Sequence, residues 1–262
     1  MSKDSIDYGV CRLSIVAVRK EPTDQAEQIT QLLFGDHYYV LSSSQDKKWI
    51  HIRVFSDQTE GWLDGKQHHA ITPEYFEQIN QADFKITMDI ASSILYKKSP
   101  LTIVMGSVVP ISNAELFKME EQLAFNGEAK SLGQKRDFEF LKSIALKYLH
   151  APYQWGGKSP FGIDASGFVQ MVYKIAGYSL PRDIVKQGGK NREPGNALPG
   201  DIAFFKNKQG EINHVGIVLE EDKIIHASGR VRIDLLHEEG ILNAETKIFT
   251  HYLSGLRTIL HS

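Results

Sequence analysis

The second half of the sequence contains a strongly apolar helix pattern followed by short strand patterns, and this order restricts the possible folds. Apolar side chains stand at positions 168, 169, 172, 175 and 176, on one face of a helix that ends near Gly177. Another helix pattern spans 137–149. Three β-rich runs follow, at 201–205, 214–219 and 223–227. Helices followed by consecutive strands predict an α+β domain over residues 131–262, with helices packed on an antiparallel sheet.

Position 165 lies at the predicted N-terminus of the apolar helix. The free N–H groups and the dipole of a helix favour negative charge at that end. Asp164 is suited to capping the helix. A cysteine at position 165 would have a lowered thiol pKa and could act as a nucleophile, whereas Ala165 cannot.

Two histidines lie on the last two predicted strands, which a polar turn at 220–222 joins. If Leu219 pairs with Lys223, Gly216 pairs with His226, and His214 becomes the diagonal neighbour of His226 on the same face. Their backbones would then be roughly 7–8 Å apart, within side-chain reach. A slip of one residue would separate them. The pair suits a base and a second ring that fixes its tautomer; the alternative is two ordinary strand histidines.

The first half of the sequence alternates short β runs with turn residues, a pattern that predicts small β-barrels. In residues 1–72 the runs cover 13–18, 31–34, 38–41, 49–54 and 61–63. The stretches 31–41 and 49–54, followed by Glu60-Gly-Trp-Leu-Asp64, resemble bacterial SH3 (SH3b) domains. Further runs at 85–88, 93–96, 102–105 and 108–111 predict a second SH3b-like module over residues 73–130.

Composition excludes several classes of function. The 262 residues carry a net charge of -2, which provides no basic surface for nucleic acid. No window supplies the ~18 apolar residues of a membrane span. The first residues contain no apolar signal segment, so we expect a cytoplasmic protein unless a signal or lipoprotein segment has been trimmed away.

Neither a disulfide nor a metal site is expected. The single cysteine, Cys11, permits no internal disulfide and begins a predicted strand, where packing is its expected role. The histidines lack the spacing of a zinc site. Gly156-Gly-Lys-Ser159 resembles the end of a phosphate-binding loop, but Pro152 stands where that motif needs its first glycine. We therefore expect no metal and no cofactor.

The motifs of the last domain together resemble the NlpC/p60 family of papain-like cysteine peptidases. They are Tyr153-Gln-Trp-Gly-Gly, Asp164-Ala-Ser-Gly-Phe168, Leu180-Pro-Arg-Asp183, Leu198-Pro-Gly-Asp201, His214-Val-Gly-Ile217 and Ile225-His-Ala-Ser228. The resemblance implies a cysteine at the position of Ala165, with His214 as the catalytic base and His226 as the third member. It also places Tyr153 near the oxyanion. Asp164 and Ser166, on either side of position 165, are further candidates for substrate binding; the Ser166 hydroxyl points elsewhere on the helix and is much less acidic than a thiol, so it is not expected to replace the nucleophile.

SH3b-bearing members of this family that act on cell-wall peptides suggest a substrate. The resemblance implies cleavage of the γ-D-glutamyl bond to meso-diaminopimelate or lysine in murein tripeptides or tetrapeptides with a free N-terminal L-Ala. Asp183 would help to hold that amino group, and Glu27 is the candidate acid from the SH3b domain. A buried ammonium requires carboxylates, and an N-blocked peptide would leave them unpaired at a cost of roughly several kcal/mol.

Ala165 leaves two interpretations open. In the first, alanine replaces the nucleophilic cysteine of an otherwise intact enzyme, which then binds its substrate without cutting it. In the second, the chain is a non-catalytic pseudoenzyme that binds peptidoglycan stems. Drift of the catalytic residues is expected once catalysis no longer constrains them, and His214, His226, Tyr153 and Asp183 are all present. Their presence favours the first interpretation.

Overall fold

A computed structural model of the chain divides into two compact units. The first unit comprises Met1–Gln134 with Gly156–Ser159, and the second comprises Lys135–Trp155 with Pro160–Ser262. The structure describes residues 7–81, 83–110, 124–187, 197–220 and 222–260. The fold is α+β, as the sequence predicts.

The first part of unit 1 is a seven-stranded antiparallel sheet. Its strands are β1 (Asp7–Val10), β2 (Ile15–Arg19), β3 (Gln28–Leu33), β4 (His37–Ser43), β5 (Trp49–Val54), β6 (Glu60–Asp64) and β7 (Ala70–Ile71), in the order β3-β2-β6-β5-β4-β1-β7. Alternate side chains of the strands point into one core, because successive residues of a strand face opposite sides. Val16, Val18, Leu32 and Ile52 are each at most 2% exposed there. All five predicted runs fall on or overlap these strands.

A short helix follows the last strand of this sheet, and the sequence interpretation missed it. After a 3-10 turn at Gly65–Gln67, helix α1 spans Pro73–Gln81. Proline is favoured at the first helical position, where its missing N–H costs no hydrogen bond. Phe76 and Ile79 form the buried side of the helix.

The rest of unit 1 contains two three-stranded antiparallel sheets. Their strands are β8 (Lys85–Thr87), β9 (Ala91–Tyr96), β10 (Ser99–Val104), β11 (Val108–Val109), β12 (Ala124–Asn126) and β13 (Ala129–Ser131), in the orders β10-β9-β12 and β11-β8-β13. Phe34, which directly follows β3, packs with Ile94, Ile103 and Val109. Residue 111, the predicted end of the last run, lies outside the described residues. The division of this unit at residue 72 into two modules remains a prediction.

The segment Gly156–Ser159 belongs to unit 1 and ends in strand β14 (Lys158–Ser159). The backbone N–H of Lys158 donates to Oε1 of Gln31 at 2.8 Å. Its ammonium lies 3.7 Å from Oδ2 of Asp36, and both side chains are almost fully buried. Lys158 therefore forms a buried ion pair inside this unit.

Unit 2 consists of helices and a closed antiparallel barrel. The helices are α2 (Phe138–Lys147), α3 (Ala165–Ile175) and α4 (Ile184–Gln187), and a short strand β15 (Gly162–Ile163) precedes α3. The barrel strands are β16 (Ile202–Lys206), β17 (Ile212–Glu220), β18 (Lys223–Ser228), β19 (Arg230–His237), β20 (Gly240–Leu242) and β21 (Phe249–Arg257). The sequence predicts the first three of these six strands.

Helix α3 is the buried element that places the candidate site. Asp164 caps it with a hydrogen bond from the N–H of Gly167 at 2.7 Å. Phe168, Val169 and Val172 are fully buried. The helix ends as predicted, because Gly177 adopts a φ of 92°. The buried sides of α3 pack against β17 and β18, the strands that carry the two predicted histidines.

Candidate active site

Ala165 is the first residue of α3, and its side chain is buried. The N–H groups of the first helical turn have no partner within the helix, and the positive end of the helix dipole lies at the same place. A thiolate at this position would be stabilised by both effects. The predicted location of residue 165 at a helix start is confirmed.

A buried ion pair holds the start of α3. Nη2 of Arg182 lies 2.6 Å from Oδ2 of Asp164, and both side chains are less than a tenth exposed. The same guanidinium donates from Nη1 to the hydroxyl of Ser166. The Ser166 hydroxyl in turn donates to Oδ1 of Asp164 at 3.2 Å. Asp164 therefore combines two structural tasks, helix capping and pairing with Arg182.

Replacing Arg182 with methionine is expected to lower the free energy of unfolding of this unit by about 3 kcal/mol, because the buried Asp164 carboxylate loses its cationic partner. The matched control is Arg230→Met. Arg230 pairs with Glu245 at 2.7 Å, but both side chains are largely exposed, so we expect a loss within about 1 kcal/mol. Hydrogen exchange of the α3 amides under increasing urea measures both variants. An equal loss of unfolding free energy in the two variants would contradict the inference that burial makes the Arg182 ion pair the more important one.

The two predicted histidines meet across β17 and β18. Gly216 pairs with His226, as predicted. Nε2 of His214 and Nδ1 of His226 lie 2.8 Å apart, at hydrogen-bond distance. The predicted pairing at the turn is wrong: Glu220 pairs with Lys223, and a bulge between Val218 and Glu220 absorbs the extra residue. The bulge leaves the register at the histidines unchanged.

A third histidine, His251 on β21, stacks on His214. The ring centroids are 4.0 Å apart and the planes differ by 23°. Burial, together with the neighbouring His226 and His251, lowers the pKa of His214 well below its usual 6.5. Burial and His226 lower the pKa of His251 to about 4, although Asp234 opposes them. Both stacked rings are therefore neutral near pH 7, and His214 can accept a proton.

His226 has a further partner on its other side. Its Nε2 lies 3.0 Å from Oδ2 of Asp234, and both side chains are buried. Oδ1 of Asp234 accepts hydrogen bonds from the N–H of Ala244 at 2.8 Å and from Nη2 of Arg232 at 3.0 Å. The three buried groups His214, His226 and Asp234 thus form a continuous hydrogen-bonded row.

The remaining candidate residues have local roles. Tyr153 is 40% exposed; burial and then the charge of Asp164 raise its pKa, whereas Arg182 opposes them. Asp183 is exposed, and its Oδ1 accepts from the N–H of Val185 at 2.9 Å, which is a turn-capping role. Glu27, in unit 1, is also exposed and lies 3.4 Å from the ammonium of Lys20. The roles of Tyr153, Asp183 and Glu27 in substrate binding remain predictions.

Sequence reasoning missed Asp234, Arg232, Arg182 and His251. A usable signal existed for Asp234. Gly229 marks the turn between β18 and β19, and His226 pairs with Arg232 across it, so Asp234 is the diagonal neighbour of His226. The same reasoning that joined the two histidines would have reached this carboxylate. His251 had no such signal, because β21 is distant in sequence.

Within the described ranges, no cluster of three or more His, Cys, Asp or Glu side chains is arranged to hold a metal ion. The described helices are also too short or too polar to span a membrane.

Comparison with known protein families assigns one segment in each half of the chain. Residues 150–250 match the NlpC/P60 family, and residues 18–67 match the bacterial dipeptidyl-peptidase Sh3 domain. The chain therefore combines an NlpC/P60 peptidase-family domain with a bacterial SH3 domain.

Related proteins narrow the class further. The gamma-D-glutamyl-L-lysine dipeptidyl-peptidase of Bacillus subtilis is 29% identical over 226 residues, which cover 78% of this chain and 73% of the relative. Dipeptidyl-peptidase 6 of Lysinibacillus sphaericus is 26% identical over 246 residues, 84% of this chain and 88% of the relative. An NlpC/P60 family protein from Bacillus cereus has a crystal structure that matches 97% of this chain and 99% of its own, with a TM-score of 0.77 at 18% identity. The last match supports the fold, and the two relatives support a peptidase function.

Proposed function

We propose that this chain has the architecture of a cysteine peptidase for murein peptides. Its reaction is hydrolysis of the bond between γ-D-glutamate and a diamino acid, either lysine or meso-diaminopimelate, with release of L-Ala-D-Glu. The observation that carries this proposal is the hydrogen-bonded pair of His214 and His226 on strands that pack against the helix beginning at position 165. The name of the Bacillus subtilis relative agrees with the lysine form of this substrate, and the name of the Lysinibacillus sphaericus relative agrees with release of a dipeptide.

Each group of the site has a role in the proposed reaction. A thiolate at position 165 attacks the carbonyl carbon of the γ-D-glutamyl bond and forms a tetrahedral oxyanion. Backbone N–H groups at the start of α3 and the Tyr153 hydroxyl stabilise that oxyanion. His214 passes the thiol proton to the leaving amine, and His226 orients it. Water then attacks the acyl-enzyme, with His214 as the base, and releases the dipeptide.

With Ala165 the chain lacks the attacking atom, so we propose that it binds the peptide without cutting it. The presence of both histidines favours the interpretation that alanine replaces the catalytic cysteine of an otherwise intact enzyme. The alternative function is a pseudoenzyme that senses peptidoglycan stems, and the observation in its favour is Ala165 itself.

The proposed function can be tested by identifying which peptide bond the Ala165→Cys variant cuts. Incubation with L-Ala-γ-D-Glu-L-Lys and with its meso-diaminopimelate counterpart should release L-Ala-D-Glu, detected by mass spectrometry. Cleavage between alanine and glutamate would overturn the bond assignment. Tight binding of both peptides without any cleavage would support the pseudoenzyme instead.

A free N-terminus is expected to be required. We propose that Asp183 binds the ammonium of the substrate, and Glu27 remains a second predicted carboxylate for this role. Acetylation of L-Ala should lower kcat/KM of the Ala165→Cys variant at least about 100-fold, because a carboxylate loses its cationic partner.

The Asp183→Asn substitution separates this role from capping, since asparagine also caps turns but carries no charge. In the Ala165→Cys chain it should reduce the preference for the free amine about tenfold or more. The control is Asp222→Asn, which removes an exposed carboxylate from the turn after β17 and should leave the preference unchanged. If the Ala165→Cys variant without a further substitution cuts the free and the acetylated peptide equally well, selection of the free amine is excluded and the peptidase proposal remains intact.

A further inference from the structure

Asp234 is a buried carboxylate directly behind the histidine pair. It lies on β19, is 2% exposed and contacts Nε2 of His226 through Oδ2. Its other oxygen, Oδ1, accepts from the fixed backbone N–H of Ala244 and from Nη2 of Arg232. Nε of Arg232 also lies 2.8 Å from Oδ2 as a close ion pair without hydrogen-bond geometry. Each oxygen therefore faces a different set of partners.

The carboxylate is ionised across the physiological pH range. Burial opposes ionisation, but the hydrogen bonds from His226, from the backbone of Ala244 and from Arg232 together hold the pKa of Asp234 well below its usual 3.8. An ionised carboxylate only accepts hydrogen bonds. Nε2 of His226 must therefore carry the proton that it shares with Asp234.

This proton has consequences for both rings. When His226 is neutral and protonated at Nε2, its Nδ1 is bare and can only accept. Nε2 of His214, 2.8 Å away, must then donate. A neutral His214 that is protonated at Nε2 has a bare Nδ1, which is the atom left to act as the base.

We propose that Asp234 is a positioning residue that sets the tautomer of His226 and, through it, of His214, and so keeps Nδ1 of His214 free to take a proton. The inference rests on the proposed function only in calling His214 the base; the tautomers themselves can be measured without activity. Arg232 supports this arrangement because it balances the buried negative charge. Glu245 approaches the same guanidinium at 3.5 Å from its exposed side.

The Asp234→Asn substitution provides a sharp test, since an amide has one accepting and one donating end. The Oδ1 side holds two hydrogen-bond donors that cannot become acceptors, the backbone N–H of Ala244 and Nη2 of Arg232, whereas His226 can change its tautomer. The amide oxygen should therefore occupy the Oδ1 side, and the NH₂ group should face His226. That NH₂ would donate to Nε2 of His226, which would move the proton of His226 to Nδ1. His214 would in turn accept at Nε2 and carry its proton on Nδ1. Both rings should change tautomer together.

Ring-nitrogen NMR of the chain with Ala165 measures this directly. We expect Nε2–H on both His214 and His226 in the parent chain, and Nδ1–H on both rings in Asp234→Asn. Nδ1–H on His214 in the parent chain would overturn the proposal, whether or not the variant folds. Unchanged tautomers in a folded Asp234→Asn variant would also overturn it.

Kinetics supply a second readout in the Ala165→Cys chain. Asp234→Asn should lower kcat about 10²- to 10⁴-fold with KM changed less than about threefold, because the base nitrogen is blocked while the substrate site is intact. Asp234→Glu, which keeps an acceptor, should recover part of the loss. The matched control is Glu245→Gln, which neutralises the exposed carboxylate on the same arginine and should leave kcat within about twofold. A loss in Glu245→Gln equal to that in Asp234→Asn would reject the specific role.

The two proposals can fail separately. If the parent tautomers are as expected but Ala165→Cys cuts no stem peptide, the proposed function is wrong and the role of Asp234 in the tautomers stands. If Ala165→Cys is active but the tautomers do not depend on Asp234, the positioning role is wrong and the peptidase stands.

Discussion

The Ala165→Cys variant is expected to hydrolyse L-Ala-γ-D-Glu-L-Lys on the order of 10⁶-fold faster than the chain with Ala165. Removing the nucleophile of a catalytic triad costs about this factor, and adding it to a complete site should recover a similar one. The start of α3 places position 165 at the positive end of the helix dipole, which stabilises a thiolate. Peptide hydrolysis followed by mass spectrometry measures the rate.

Alkylation of the new thiol tests its activation independently of any substrate. The parent chain is a silent control, because its single cysteine, Cys11, is 1% exposed and burial raises the pKa of that thiol to about 12. Iodoacetamide at pH 7 should therefore label Ala165→Cys once and the parent chain not at all. A labelled variant that cuts no γ-D-glutamyl peptide would contradict the peptidase proposal and favour a binding protein.

The second large effect is expected at His214. In the Ala165→Cys chain, His214→Ala should lower kcat about 10³- to 10⁵-fold, because the thiol loses its proton acceptor and the leaving amine loses its proton donor. The pH at which the alkylation rate reaches half of its maximum should also rise towards the usual pKa of cysteine, near 8.5. Steady-state kinetics and the pH dependence of alkylation measure the two consequences.

His237→Ala is the matched control for His214→Ala. His237 ends the barrel strand β19, is exposed and packs on Phe249 with ring centroids 5.8 Å apart. Its loss should change kcat by less than about twofold. If His214→Ala costs no more than His237→Ala, the assignment of His214 as the base is wrong.

The histidine pair shows how far local rules of sheet pairing reach. The assumption that Leu219 pairs with Lys223 is wrong at the turn, yet Gly216 still faces His226. A bulge next to the turn accommodates one additional residue and the ladder beyond it continues in the predicted register. Cross-strand geometry could therefore predict the hydrogen bond between the two rings but not the shape of the turn.

Local rules of strand pairing could not predict that the barrel closes or that His251 lies beside the histidine pair. The predicted sheet stops at β18, although the following strand alternates charged residues at 230, 232 and 234 with apolar residues at 231, 233 and 235, a pattern that indicates a strand. Asp234 is buried through its hydrogen bonds and ion pair, a state that strand propensities do not describe. His251 reaches His214 only when β21 pairs with β16 and closes the barrel.

Asp164 and Asp183 show the same division at the start of α3. Capping of the helix by Asp164 follows from its position before an apolar helix, and the structure has that bond. The pairing of Asp164 with Arg182 does not follow from any local pattern, since the two residues are brought together by the chain that returns after α3. Asp183, the more prominent residue of the motif in the sequence, is exposed and caps a turn.

The sequence alone determined the α+β class, the helix that begins at position 165 and the proximity of His214 and His226 across one hairpin. These features depend on neighbours along the chain or across one turn, where periodicity, capping and strand register apply. The buried ion pair of Arg182, the stack of His251 on His214 and the burial of Asp234 behind His226 required the folded chain. The first two join residues that no single hairpin brings together, and all three depend on burial and on fixed hydrogen-bond partners that exist only in the folded chain.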